Sequence, residues 1–197
     1  MSEHLDEEYW NLRYINHQTN WDIGFPSPAI VKWLDNQQNL DLKILIPGAG
    51  LGHEARYAFH KGFNHIYYMD YADHAIKSFK KRCPNFPEEH ILTGDFFNLP
   101  LNNYFDIIIE QTFFCAQKPS NREDYVTKIH DLLKSDGKLI GLLFETEFDK
   151  DGPPFGGRKS DYQNLFDKKF DILKMAKSNL SIPPREGLEI WIDLLKK

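Results

Sequence analysis

The run Lys43-Ile44-Leu45-Ile46-Pro47-Gly48-Ala49-Gly50-Leu51-Gly52-His53-Glu54 constrains this chain more than any other stretch. A short apolar segment runs into alternating glycines. A helical pattern follows, carried by Ala55, Ala58 and Phe59 and stopped near Gly62. A strand–glycine–helix turn leaves unpaired backbone N–H groups and a helix N-terminus facing a ligand. Glycine is needed there because a Cβ would block both the turn and the ligand's approach. The spacing is G-x-G-x-G and not the G-x-G-x-x-G of dinucleotide sites. It points to a nucleoside without phosphates, with S-adenosylmethionine (SAM) as the candidate. A turn that merely packs strand against helix is the alternative.

At 197 residues the chain is expected to form a single domain, residues 1–197, because a chain this long buries roughly 70% of its unfolded surface. The net charge of −5 argues against a nucleic-acid partner or a polybasic membrane surface. Two cysteines, Cys83 and Cys115, make no disulfide framework. With no apolar run near the ~18 residues of a membrane span and no signal peptide, a cytoplasmic monomer is expected. The eight histidines, from His4 to His130, show no metal-ligand spacing, so no metal site is expected.

Residues 1–40 read as a helical segment that precedes the central turn. Tyr9, Trp10, Leu12, Tyr14 and Ile15 are spaced for a short amphipathic helix. A loop, Trp21–Pro26, leads to Ser27-Pro28, an N-cap and first-turn pair, and a helix ending before Asn39. Beyond the turn, strands are expected at His65–Asp70, Ile91–Thr93, Asp106–Glu110 and Lys138–Phe144. Between them lie a helix capped by Asp73 and one opened by a Ser120/Glu123 capping box. A Gly/Pro loop at Asp151–Gly157 precedes a helix opened by Ser160. Phe170–Lys177 and Leu188–Leu195 then alternate like a β-hairpin. The pattern is α/β: a doubly wound, mostly parallel sheet with an antiparallel pair at one edge.

In such sheets the ligand lies beyond the carboxyl ends of the strands. That rule selects Gly48–Gly52, Asp70, Asp95-Phe96 and Glu110–Phe114. Asp70 falls twenty positions after Gly50, where a carboxylate can accept ribose hydroxyls; a turn or cap role is the bland alternative. Asp95 is placed for an adenine amino group and Phe96 for the ring. Cys115 lacks any setting that would lower its pKa, so it reads as a small buried hydrophobe and not a nucleophile.

Trp21-Asp22, ILIPGAGLGHEA, EQTFFCAQKPSNREDYV and the GPPF loop at Gly152–Phe155 occur in that order. Together they resemble the thiopurine S-methyltransferase family, and within it the thiol/halide methyltransferase branch. Pro47 stands where many methyltransferases carry an acid, as in this branch. The resemblance implies a Rossmann-like SAM methyltransferase fold with sheet order 3-2-1-4-5-7-6. It implies SAM as cofactor, with Trp21, Gly48, Ala49, Gly50, Asp70, Tyr71, Asp95, Phe96 and Glu110 around it. It further implies an acceptor pocket of Phe25, Phe113, Phe114, Pro154, Phe155 and Arg185, with Trp21 and Phe25 in a closing segment. Arg185 lies in the signature Arg185-Glu186-Gly187-Leu188-Glu189, whose role is open between structure and substrate. The implied reaction is methyl transfer to a small thiol, thiopurine-type sulfur or soft anion with no catalytic side chain. An NAD-dependent oxidoreductase and a non-catalytic SAM-binding module are the competing readings.

Overall fold

Strand β1 (Lys43–Pro47) lies in the middle of the sheet because both its faces are apolar. Leu45 enters one buried cluster, and Ile44 and Ile46 enter the other. Strand β4 (Phe105–Gln111) repeats the alternation, with Ile108 on the first side and Ile107 and Ile109 on the second. A parallel strand covered on both faces requires this. The computed structural model describes residues 5–149 and 151–197, so His4 of the histidine set lies outside the described residues.

Strand β2 (His65–Asp70) pairs parallel with β1, and β3 (Ile91–Thr93) with β2. On the other side β5 (Leu133–Phe144) pairs parallel with β4. Strand β7 (Glu189–Lys196) runs antiparallel between β5 and the edge strand β6 (Phe170–Lys177). The seven-stranded order β3-β2-β1-β4-β5-β7-β6 is the one the family resemblance implied. Helices α2 (Pro28–Asp35), α3 (His53–Lys61) and α4 (Asp73–Arg82) cover one face through Leu34, Ala58 and Phe79. Helices α5 (Arg122–Leu132) and α6 (Lys159–Phe166) cover the other through Tyr125, Ile129 and Phe166. Each of the large side chains among these contributes roughly 1.5–3 kcal/mol, and the Ala58 methyl about 0.8 kcal/mol. Helix α1 (Glu7–Ile15) packs across α4, with Tyr14 against Ala72 and Ala75.

Several local expectations change. Ser27 precedes α2, but its side chain makes no cap bond; its N–H donates instead to Glu54 Oε1 at 2.9 Å. Helix α2 ends at Asp35, before Asn39 as expected. Asp73 is the first residue of α4, and the cap is supplied from elsewhere: Asn11 Oδ1 accepts the His74 N–H at 2.9 Å. The Ser120/Glu123 box does not form, since Asn121 holds the cap position without a side-chain bond. Ser160 lies inside α6. Strand β5 starts at Leu133 and not Lys138, because Ser135-Asp136-Gly137 forms an irregularity within the strand. Asp136 there has φ +61°.

Candidate active site

The turns after β1, β2, β3 and β4 open onto one cleft of about 820 Å³, within the ~300–1,000 Å³ of small-molecule sites. Of the residues expected at the site, Trp21, Gly48, Asp70, Tyr71, Asp95, Phe96, Phe113, Pro154 and Arg185 border it. Gly48, at φ +57°, sits under the Phe113 ring, where a Cβ would collide with the ring. Gly94 has φ +109°, and a Cβ there would meet nothing within 4 Å. It leaves a free cradle on the cleft wall between Asp70 and Asp95. Room for a nucleoside, an acid at the end of β2 and an aromatic beside the end of β3 fit SAM.

Asp70 is buried, and its carboxylate is largely committed. Oδ2 accepts the Gly50 N–H at 2.8 Å; Oδ1 accepts those of Tyr71 and Ala72 at 2.8 and 2.9 Å. Burial raises its pKa, and these three backbone bonds oppose the rise. A carboxylate oxygen has two lone pairs, so Oδ2 retains one free acceptor direction and Oδ1 none. The carboxylate therefore has one open acceptor direction and not the two that binding both hydroxyls of a ribose would need. Asp95 likewise caps its own turn, accepting from the Phe97 N–H at 3.0 Å and the Asn98 side-chain amide at 2.9 Å.

Six expected site residues lie off the cleft. Glu110 is fully buried. Its Oε1 accepts the N–H groups of Phe113 and Phe114, each at 2.8 Å, and its Oε2 accepts the Tyr125 hydroxyl at 2.5 Å. Burial pushes its pKa up to about 7. Glu110 thus builds the turn that presents Phe113. Thr112, φ +59°, is the strained residue within that turn. Phe114 turns the other way, into the core beside Tyr125 and Tyr162. Phe155 is held at the back of its loop: its N–H donates to the Cys115 carbonyl at 2.6 Å, and Arg122 reaches the Phe155 and Gly156 carbonyls. Phe25 is 48% exposed. Ala49 donates its N–H to the Met69 carbonyl at 2.9 Å. Gly50 lies beneath the Tyr14 hydroxyl, 2.6 Å from where its Cβ would be. The Cys115 thiol donates to the Thr112 carbonyl at 3.2 Å, and burial pushes its pKa up.

The sequence also left residues out. Tyr9, Trp10, Arg13 and Tyr14 of α1 all border the cleft, and the Trp21 ring packs edge-on against Trp10 and Tyr14 at 5.3 and 5.7 Å. Burial pushes the Tyr14 hydroxyl pKa up, with the Asp70 charge adding to it. The density of aromatics ahead of residue 22, beyond what a surface helix needs, was the available signal. Arg185 is buried, donates to the Trp21 carbonyl at 2.7 Å and lies 3.5 Å from Glu189. Its signature therefore ties the Trp21 loop down. A His–Asp pair, not expected from the sequence, does exist: His53 Nε2 lies 2.8 Å from Asp22 Oδ1, and this bond lowers the Asp22 pKa. Neither residue borders the cleft. The pair fastens the Trp21 loop to the start of α3, next to the Ser27–Glu54 bond.

Comparison with known proteins agrees with this geometry. Thiocyanate methyltransferase 1 of Brassica oleracea is 28% identical over 96% of this chain and 85% of its own length. Probable thiol methyltransferase 2 of Arabidopsis thaliana is 29% identical over 91% and 81%. The solved 1,6-didemethyltoxoflavin-N1-methyltransferase of Burkholderia thailandensis superposes with a TM-score of 0.76 at 16% identity, over 98% of this chain and 88% of that one. At that identity it shows the fold alone. The family model for thiopurine S-methyltransferase matches residues 5–193. The cleft, the strand order and this match lead to one conclusion: the chain belongs to the thiopurine S-methyltransferase family and is a SAM-dependent methyltransferase.

Proposed function

We propose that the methyl acceptor is a small soft nucleophile: a thiol or thiopurine-type sulfur first, a thiocyanate, hydrosulfide or halide anion second. Transfer is an in-line displacement without a dedicated protein base. Bound SAM supplies a methyl carbon made electrophilic by its sulfonium. The chain supplies position and dryness, which for well-oriented reactants are worth roughly 7–11 kcal/mol. In this reading Trp10, Tyr14 and Trp21, whose rings pack edge-on around Trp21, serve as the roof of the cleft, which Phe96, Phe113, Pro154 and Leu188 also border. Arg185 ties that roof to the start of β7 through the Trp21 carbonyl.

The observation that carries the reading is the committed state of the groups around the turns. Asp70 and Asp95 accept local N–H bonds, and the Cys115 thiol donates to a carbonyl. A thiol with a pKa near neutrality brings its own anion and needs no such group. The curated relatives described above are named for thiols and thiocyanate.

The test is a screen of thiols, hydrosulfide, thiocyanate and iodide with SAM, with methylated products read by gas chromatography. The pH dependence of kcat/KM is expected to follow each thiol's own pKa and to be nearly flat for iodide. One fixed pKa across acceptors of different acidity would overturn the base-free mechanism and direct attention to Asp6 and Asp151, carboxylates that border the cleft.

A further inference from the structure

Two side-chain cations border the cleft among the described residues, Arg13 and Arg185. Arg185 is occupied by Glu189 and the Trp21 carbonyl. Arg13 is placed differently. Its Nη2 donates to the Tyr9 hydroxyl at 2.7 Å and its Nη1 to Gln18 Oε1 at 3.4 Å, while the guanidinium carbon lies 4.9 Å from the Tyr9 ring centroid. Tyr9 and Gln18 border the cleft as well, so the group is steered onto the wall by neutral partners. Among the described residues no carboxylate forms an ion pair with it. Asp6, on the same wall, uses one carboxylate oxygen to cap α1 through the Tyr9 N–H at 3.0 Å.

A guanidinium held this way keeps unused N–H donors in a planar fork, the geometry that grips a carboxylate through two parallel bonds. The Tyr9 stack removes much of the side-chain freedom that such a grip would otherwise cost. Resting on the reading of this cleft as the meeting place of cofactor and acceptor, we propose that Arg13 is its carboxylate-binding residue. The carboxylate comes from the amino-acid end of the cofactor or from the acceptor. In the second case the enzyme favours acidic thiols over neutral ones of the same size.

Calorimetry on the full chain separates the sources without requiring turnover. S-adenosylhomocysteine and 5′-methylthioadenosine, which lacks the amino-acid end, are titrated into wild type and Arg13→Gln. Then 4-mercaptobenzoate and 4-methylbenzenethiol are titrated into each S-adenosylhomocysteine complex. A loss of roughly tenfold or more for S-adenosylhomocysteine, with methylthioadenosine unchanged, assigns Arg13 to the cofactor's carboxylate. A similar loss for mercaptobenzoate alone assigns it to the acceptor's. Equal affinities of wild type and variant for all four overturn the proposal. Should Arg13→Gln not fold, Arg13→Lys keeps the charge and loses the fork. It then decides the matter in the same way, a smaller selective loss supporting the assignment and none overturning it. Failure of the wild type to methylate any thiol would count against the proposed acceptor class and leave this binding result standing.

Discussion

At Asp70, replacement by asparagine would turn an amide N–H toward the Gly50 N–H and leave a buried donor unpaired. That costs about 1–3 kcal/mol and loosens the glycine turn itself. Asp70→Asn is therefore expected to lower the melting temperature and to weaken S-adenosylhomocysteine at least about tenfold, read by thermal melts and calorimetry. Unchanged affinity would remove Asp70 from the cofactor site. Glu110 invites a different experiment. Its folded pKa of about 7 lies above the unfolded value, so the folded chain holds this proton more tightly. The resulting stabilisation is complete below about pH 4.5 and is lost as pH rises through 7. Glu110→Gln fixes the uncharged form, with the amide oxygen accepting from Phe113 and Phe114 and the amide N–H donating to Tyr125. Wild type and variant should melt together at about pH 4, with the variant gaining as much as about 3 kcal/mol by about pH 8. A constant difference at all pH values would show that Glu110 does not titrate in this range. The neighbouring pair Phe113 and Phe114 shows where the sequence falls silent. Both are aromatic in one loop, and only the left-handed turn at Thr112 decides which faces the cleft.

Among the elements, the strands were the most legible, because apolar alternation in β1 and β4 assigns each residue to a face without knowledge of its partners. Helix α1 was legible as a helix but not as a wall. Amphipathic spacing says which residues share a face and not what that face meets. The bonds of the closing segment were out of reach for a related reason: His53 and Asp22 lie in different elements, and no periodicity joins them. Three ties hold that segment: the His53–Asp22 pair, the Ser27 N–H on Glu54 and Arg185 on the Trp21 carbonyl. Ligand should tighten the roof that these ties support. In limited proteolysis, S-adenosylhomocysteine is expected to slow cleavage ahead of Ser27 in the wild type, and to slow it less in Arg185→Gln. Identical cleavage with and without ligand would reduce the segment to packing.

On the scale of the molecule, the sheet places its sequence-last strand inside and not at an edge. Strand β7 pairs with β5 along Lys138–Phe144 and with β6 along its other side. Arg185, just ahead of β7, contacts a residue far back in the chain at Trp21. A chain ending at Leu188 is expected to show no cooperative melt and no thermal shift with S-adenosylhomocysteine; a cooperative melt would mean that the first five strands fold alone. The order has a further consequence at the ribosome. While synthesis has not yet passed β7, the growing chain carries β5 with an open apolar edge and β6 with no neighbour. Arg185, made just before β7, has as yet no Glu189 beside it. Until then the nascent polypeptide is expected to be inactive and prone to adhere through that edge, and it is at that stage that it would depend most on a chaperone.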